Sequence, residues 1–428
     1  MDIELINTGS ELLLGRVLNT HQQWIGRRLA DRGYEIQRQV AVPDTGDAIR
    51  AAVAEACQRA ELVITTGGLG PTSDDRTRDL IAAMFDRTLH EDPKLVRHIA
   101  GFFERRGREM PESVKVQALV PEGAEVIKNE FGTAPGLLLR YPLEGAAEQR
   151  GTLVMLPGPP RELRPMFDHQ VLPWLESEVL ATAGFSCMTL RSVGLGESRV
   201  EEQLTPSLEP WLRQGLEIGY CARSGEVDIR LVARGTQAED LVARAAEVVR
   251  RLLERHIYGE DDVKLEEVIV DALSRSGKSL SVAESCTGGF LAHRLTNVPG
   301  ASKVLKGGFV TYSNEEKTRV LGVNKDTLAT HGAVSESTAK EMAAGALRAA
   351  GTDFAVSITG VAGPGGGSPE KPVGTVFIGV ADRDGTQVLR CFHPVERETF
   401  KYMTTQQALE LLRRVHLKSV HGFRAASS

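Results

Sequence analysis

This chain is short of the residues that staple or anchor a protein. Its 428 residues include five cysteines, Cys57, Cys187, Cys221, Cys286 and Cys391, scattered along the sequence with no C-x-x-C pair. Such a set excludes a disulfide framework and a clustered zinc site. No apolar run approaches the ~20 residues that a membrane-spanning helix needs, so no membrane partner is expected. Basic charge is not in excess either: 51 Lys and Arg stand against 57 Asp and Glu, a net charge of −6. A general nucleic-acid binder would carry a basic face, so nucleic acid is not an expected partner. The opening stretch MDIELINTGSELLLG lacks the basic n-region and small-residue cleavage site of a signal peptide. The mature domain is therefore expected to begin at once, in the cytoplasm.

What is present is the composition of a soluble globular protein, 41% apolar and 25% charged. At roughly 150 residues per domain, the length implies about three domains. Residues 3–8 (IELINT) read as a buried strand, and NTHQQWIGRRLADRG as a helix closed by Gly33. A strand at 35–42, a helix at 47–60 and a third strand, ELVITT, continue the alternation. That pattern is an α/β fold with a parallel sheet and helices on both faces. After LPGPPREL (156–163) a helix is expected to run to about residue 180. A mixed segment follows, with strands near 188–193, 216–220 and 227–233 and a helix at 237–255. A second α/β unit begins near 259, with a helix at 263–275 and a strand at 279–283.

Ligands of parallel sheets bind beyond the carboxyl ends of the strands, and the first three strand ends carry TGSE (8–11), VPDTGD (42–47) and TTGGLGPTSDD (65–75). Gly67, Gly68 and Gly70 let backbone N–H groups approach an anion, and the next helix N-terminus favours negative charge. Neither standard nucleotide fingerprint is matched. Asp74 and Asp75 beside a phosphate would repel it without an intervening cation, which points to a divalent metal with oxygen ligands. Glu11 and Asp44, at neighbouring strand ends, complete the candidate ligand set. The competing account is that the aspartates cap the following helix.

TGSELLLGRVLNTH, TTGGLGPTSDDRT, NEFGTAPG and LPGPPREL resemble the N-terminal domain of the competence/damage-inducible CinA family, itself related to molybdopterin-binding proteins. The shared G-G-x-G…D-x-T pattern falls on Gly67, Gly68, Gly70, Asp75 and Thr77. The resemblance implies hydrolysis of ADP-ribose to AMP and ribose 5-phosphate with a divalent cation (Mg, Mn or Co), and K+ as a possible further ion. Gly9, Ser10 and Thr133 join the glycines as binding candidates. It also implies domains at 1–170 (molybdopterin-binding-like), 171–258 (a small KH-like α+β linker) and 259–428. The middle segment has no G-x-x-G loop, the element that clamps a nucleic-acid backbone in KH modules.

In the last domain Ser302 lies in a Gly-Ala-Ser turn, Tyr312 ends a β-run and Lys317 falls just inside a helix whose cap is read at Ser313. A cation there is opposed by the helix dipole, which favours a neutral amine able to act as a base. Nucleophile, relay and base would follow at relative positions 0, +10 and +15. The alternative is a turn serine, a half-buried tyrosine and a surface lysine. AESCTGG (283–289), GGFVTYSNEEK, HGAVSES and SITGVAGPGGGSPEKPVGTV resemble the nicotinamide-nucleotide amidase family that forms the CinA C-terminal domain. The resemblance implies conversion of nicotinamide mononucleotide (NMN) to nicotinic acid mononucleotide and ammonia, without a cofactor, by Ser302, Tyr312 and Lys317. Ala301 departs from a serine often found there. Thr287, Gly288, Gly289, Thr359, Gly360 and Arg397 are the expected substrate contacts. Cys286 is read as a buried, inert thiol, because no histidine base accompanies it. A homodimer is expected, since relatives of both enzymatic domains self-associate and two-fold pairing is common. Two other readings compete: a pterin- or nucleotide-binding N-terminal domain without turnover, and a non-enzymatic adaptor in competence or damage response.

Overall fold

The computed structural model describes residues 1–143, 150–178 and 184–421. The expected helix end near residue 180 lies outside them. Two compact units emerge, Met1–Cys187 with Arg234–Glu239, and Met188–Ala233 with Asp240–Ser428.

The strands of the first unit are β1 (Ile3–Thr8), β2 (Ile36–Val42), β3 (Leu62–Thr66), β4 (Leu89–Glu91), β5 (Leu119–Pro121), β6 (Glu125–Ile127), β7 (Gly136–Pro142) and β8 (Arg150–Leu156). Six of them form one sheet in the order β2-β1-β3-β8-β7-β6, while β4 pairs with β5 apart. The alternation of apolar residues is hidden in the sequence because both faces are covered. Leu62 and Ile64 enter one core with Ile25, Leu29 and Leu163. Val63, between them, enters the opposite core with Ile49, Val53 and Leu80. A strand buried on both faces reads as a continuous apolar run.

The sheet is mixed rather than wholly parallel. Strands β2, β1, β3 and β8 run parallel, but β7 pairs antiparallel with β8 and β6 antiparallel with β7. A parallel crossover needs about a dozen residues or more, and the β7–β8 connection is too short for one.

The second unit joins the KH-like segment to the C-terminal domain. Its first sheet holds β9 (Phe185–Val193), β10 (Glu217–Arg223), β11 (Glu226–Arg234) and β12 (Ile257–Glu260) in the order β10-β11-β9-β12. Val193 and Tyr258 of this sheet share a core with Leu265, Ile269 and Leu412 of the C-terminal domain. A polar chain reinforces the joint: Gln406 Nε2 donates to Glu226 at 2.6 Å, and Arg294 donates to Gln406 Oε1 at 2.6 Å.

The second sheet holds β13 (Leu280–Glu284), β14 (Leu305–Val310), β15 (Phe354–Gly360), β16 (Thr375–Asp382) and β17 (Gly385–Phe392), in the order β14-β13-β15-β16-β17. The first three are parallel. Strands β16 and β17 turn back antiparallel because no helix separates them from their predecessors. One face packs large residues, Leu280, Val282, Val356 and Ile358. The other packs alanines, Ala283 and Ala355, against Ala343 and Ala346 of the Glu336–Ala350 helix. Small residues let that helix lie close: a Cβ on Gly345 would stand 2.0 Å from the carbonyl oxygen of Leu321.

Candidate functional sites

The parallel part of each mixed sheet reverses its winding at its first strand. From β1 the chain moves to β2 on one side and then crosses to β3 on the other; from β13 it moves to β14 and then to β15. Ligand crevices form at the carboxyl ends of strands at such switch points, and each candidate site lies at one.

At the first, Thr8, Glu11, Asp44, Gly67, Gly68, Gly70, Asp74, Asp75 and Thr133 line a cavity of about 410 Å³. That is the size range of small-molecule sites. Gly68 adopts φ +69°, and a Cβ there would stand 2.0 Å from Thr77 Oγ1, so only glycine fits. The carboxylates are partly committed to the loops. Asp75 accepts from the Thr72 amide at 3.0 Å and from the Thr72 hydroxyl. Asp44 accepts from the Ser10 amide at 2.8 Å, and the Asp44 amide donates back to Ser10 Oγ at 3.2 Å. Ser10 thus braces Asp44, and the Gly9 amide holds the end of β2 through Val42 O at 3.0 Å. The nearby Thr72 side chain, and then Asp74's own backbone amide, draw the Asp74 carboxyl below its ordinary range.

Among the described residues no three His, Cys, Asp or Glu side chains stand close enough together to hold an ion. Two lining residues escaped the sequence reading. Glu162 is buried and accepts from Asn129 Nδ2 at 2.7 Å; Gln117 donates to Leu69 O at 3.4 Å. Glu162 lies in the Pro160–Met166 helix and Gln117 in the short Glu112–Ala118 helix, and the one available signal was Glu162's place in LPGPPREL.

The second site is built where β13 and β14 end. Lys317 is only 1% exposed. Its Nζ lies 2.8 Å from Thr311 O, 3.4 Å from Tyr312 O and 3.0 Å from Ser285 Oγ. The Thr311 amide donates to Glu284 O at 2.9 Å, and the Ser285 amide donates to Ile358 O at 3.0 Å. Serine and lysine, 32 residues apart, are therefore fixed by the neighbouring strands. The Asn314–Leu321 helix carrying Lys317 starts as expected, with Ser313 Oγ accepting from the Glu316 amide at 3.2 Å. Desolvation is the main cause that lowers the Lys317 pKa. Burial acts in the direction expected from the helix dipole but is a different cause.

Ser302 is not part of this arrangement. It sits exposed in the short Ala301–Lys303 turn that precedes β14, whereas Lys317 follows the strand's other end. Six extended residues at about 3.3 Å each put roughly 20 Å between those ends. Residues at positions 0 and +10 across a strand cannot meet, so the Ser302–Tyr312–Lys317 grouping is corrected to Ser285–Lys317. Tyr312 lies at the rim, 64% exposed, and its hydroxyl accepts from Arg397 Nη2 at 3.2 Å rather than relaying to Lys317. Arg397 also donates to Gly363 O at 2.7 Å, tying down the glycine-rich loop.

Thr287 follows the serine with its buried Oγ1 unpartnered. Thr359 is buried and gives its hydroxyl to Ala333 O at 2.6 Å, and Gly360 pairs with Val376 in the ladder, so both support the loop from β15. Cys286 is buried, and its thiol is pushed up to about 12 by desolvation. It is no thiolate at neutral pH.

Three family models match the chain. One described as a probable molybdopterin binding domain matches residues 4–177, a damage-inducible protein CinA KH domain matches 188–259, and a CinA C-terminal domain matches 262–416. A CinA-like protein of Akkermansia muciniphila is 44% identical over 409 residues, covering 95% of both chains. A putative competence-damage inducible protein of Caldicellulosiruptor bescii is 42% identical over 418 residues, covering 97% of this chain and 99% of its own. The crystal structure of a competence/damage-inducible protein from Agrobacterium tumefaciens is 45% identical, covers 35% of this chain and 93% of its own, and superposes with a TM-score of 0.34. No described helix is long and apolar enough to cross a membrane.

Proposed function

Since the chain belongs to the CinA family, we propose that it is a hydrolase of pyridine nucleotides whose C-terminal domain removes the amide of NMN. One observation carries this reading. A neutral amine has two N–H donors and one lone pair, and Lys317 Nζ faces two carbonyls and one hydroxyl. The carbonyls of Thr311 and Tyr312 can only accept, so they take both donors and leave the lone pair for the Ser285 proton. Burial keeps the amine neutral more readily than in water.

Lys317 takes the proton as Ser285 Oγ attacks the carboxamide carbon. The resulting ammonium returns a proton to the departing nitrogen, releasing ammonia and leaving an ester on Ser285. Water, deprotonated by the same amine, then resolves the ester to the acid. The Gly288 and Gly289 amides are already committed to Ser285 O and Glu284, so an oxyanion donor from this turn would be the Cys286 or Thr287 amide. Such a donor contributes about 3 kcal/mol. Arg397 supplies positive charge at the rim for the phosphate of NMN.

Ser285→Ala and Lys317→Ala should each lower ammonia release from NMN by ~10²–10⁴-fold. The double variant should be little worse, as expected of groups that act as a unit. A Ser285→Ala enzyme at full rate would reject the assignment.

For the N-terminal cavity the proposal is ADP-ribose hydrolysis. The lining offers hard oxygen donors suited to Mg, Mn or Co, but no three of its carboxylates converge on one point, so a cation would be held by one or two of Asp44, Asp74, Asp75 and Glu11 together with the substrate's phosphates. When bound, such a cation neutralises phosphoryl charge and polarises water. Asp75→Asn should abolish AMP release from ADP-ribose and leave NMN hydrolysis intact; metal-independent hydrolysis by that variant would refute the reading. The prior commitments of Asp44 and Asp75 favour a second reading, a domain that binds a nucleotide or pterin without turnover. A homodimer is the proposed assembly, and a light-scattering mass of one 46.5 kDa chain would exclude it.

A further inference from the structure

Glu284, the residue before Ser285, is 1% exposed and pairs with no basic side chain among the described residues. Its carboxylate instead turns forward over the sequence. Oε2 accepts from the Gly289 amide at 3.1 Å and the Leu291 amide at 3.0 Å, and Oε1 accepts from the Ala292 amide at 2.8 Å. These are the free donors at the start of the Phe290–Thr296 helix, where a negative charge is favoured. Three charge-assisted hydrogen bonds compensate the burial of the carboxylate. They also close residues 284–289 into a loop anchored at both ends, by the β13 ladder and by the helix.

From this geometry we infer that Glu284 is a positioning residue of the Ser285–Lys317 site, clamping the turn that aims Ser285 Oγ at the lysine. The inference rests on the amidase reading for the substrate but not for its geometry. The Glu284 backbone carbonyl accepts from Thr311, whose own carbonyl holds Lys317. One residue therefore fixes the nucleophile through its side chain and the base through its main chain.

The clamp has a second consequence, at Cys286. A thiol just ahead of a helix N-terminus ordinarily ionises more easily. Here the Glu284 charge occupies that terminus and opposes the thiolate, reinforcing the effect of burial. The adjacent Ser-Cys pair is thereby resolved in favour of the serine.

The test uses the full chain and two variants, Glu284→Gln and Glu284→Asp. Three rates are measured: ammonia release from NMN, labelling of Ser285 by a fluorophosphonate, and alkylation of Cys286 by iodoacetamide, with labelled sites assigned by mass spectrometry. Glutamine presents an amide donor to the Ala292 N–H, so the clamp opens and its charge is lost. Ser285 labelling and kcat should fall at least tenfold, KM should stay within about twofold, and Cys286 alkylation should speed up severalfold. Aspartate is one methylene short but keeps the charge. It should slow Ser285 labelling while leaving Cys286 as unreactive as in the parent.

Wild-type Ser285 labelling in Glu284→Gln would overturn the inference, as would equal acceleration at Cys286 in both variants, which would mean looser packing rather than lost charge. If the parent protein releases no ammonia yet the labelling pattern holds, the amidase reading fails and the positioning role stands.

Discussion

Lys317→Met tests whether a neutral amine lies at the heart of the C-terminal domain. Methionine matches the length of lysine and suits an apolar environment, so the change removes one amine and little volume. The Thr311 carbonyl loses its 2.8 Å donor in a residue only 1% exposed. An unsatisfied buried acceptor costs about 1–3 kcal/mol. The diagnostic quantity is the pH dependence of that loss. The pKa of Lys317 is lowered in the folded state, so between that value and the ordinary 10.5 the unfolded chain binds more protons. Parent stability then rises with pH across that window, by up to about 1.4 kcal/mol per pH unit where the proton difference is complete. The variant lacks this dependence. Melting temperatures of both proteins between pH 6 and pH 10 should diverge as pH rises, by roughly 3–5 °C per unit at the steepest point for a unit of this size. Other titrating groups cancel in the comparison, and Cys286 stays protonated until about 12. Parallel curves would show that Lys317 keeps an ordinary pKa, and the general-base argument would fall with it.

Ser302→Ala should keep NMN hydrolysis within about twofold, since that serine sits at the far end of β14; a dead, folded variant would restore it to the chemistry. Cys286→Ala should likewise retain most ammonia release, and a loss beyond tenfold without unfolding would contradict an inert thiol. Gly345→Ala forces a Cβ to within 2.0 Å of Leu321 O at the end of the helix that carries Lys317. It should lower stability by about 1–3 kcal/mol and reduce kcat, measured by denaturant titration and ammonia release. Asp353 is held down to about 2, first by its hydrogen bond from Lys278 and then by the Ser279 amide. Its contribution is present above pH 3.8 and lost as pH falls toward 2. Asp353→Asn should therefore flatten the acid limb of the melting curve, and an unchanged limb would refute the pairing.

The sequence by itself determined the α/β class, the alternation of buried strands with helices and the two glycine-rich loops at strand ends. These are local properties, set by periodicity, capping residues and the conformational freedom of glycine. Gly68 and the Ser313 cap are read from a few neighbouring letters and recur in the structure. The two crevices follow almost as directly, because chain reversal at β1 and β13 leaves a gap wherever the winding changes side. What the sequence could not determine was which side chains meet. Ser302 and Lys317 are fifteen residues apart and look like partners, yet an extended strand carries them to opposite ends of the sheet. Ser285 is 32 residues from Lys317 and meets it because two parallel strands end side by side. Lys317 became a candidate base through its place in a helix, but burial where β13 and β14 end is what lowers its pKa. The pairing of Glu284 with helix amides and the seating of Glu162 against Asn129 likewise depend on tertiary packing. Burial and strand register act between distant parts of the chain, so the pairing of Lys317 with Ser285 rather than Ser302 was decided by the tertiary fold.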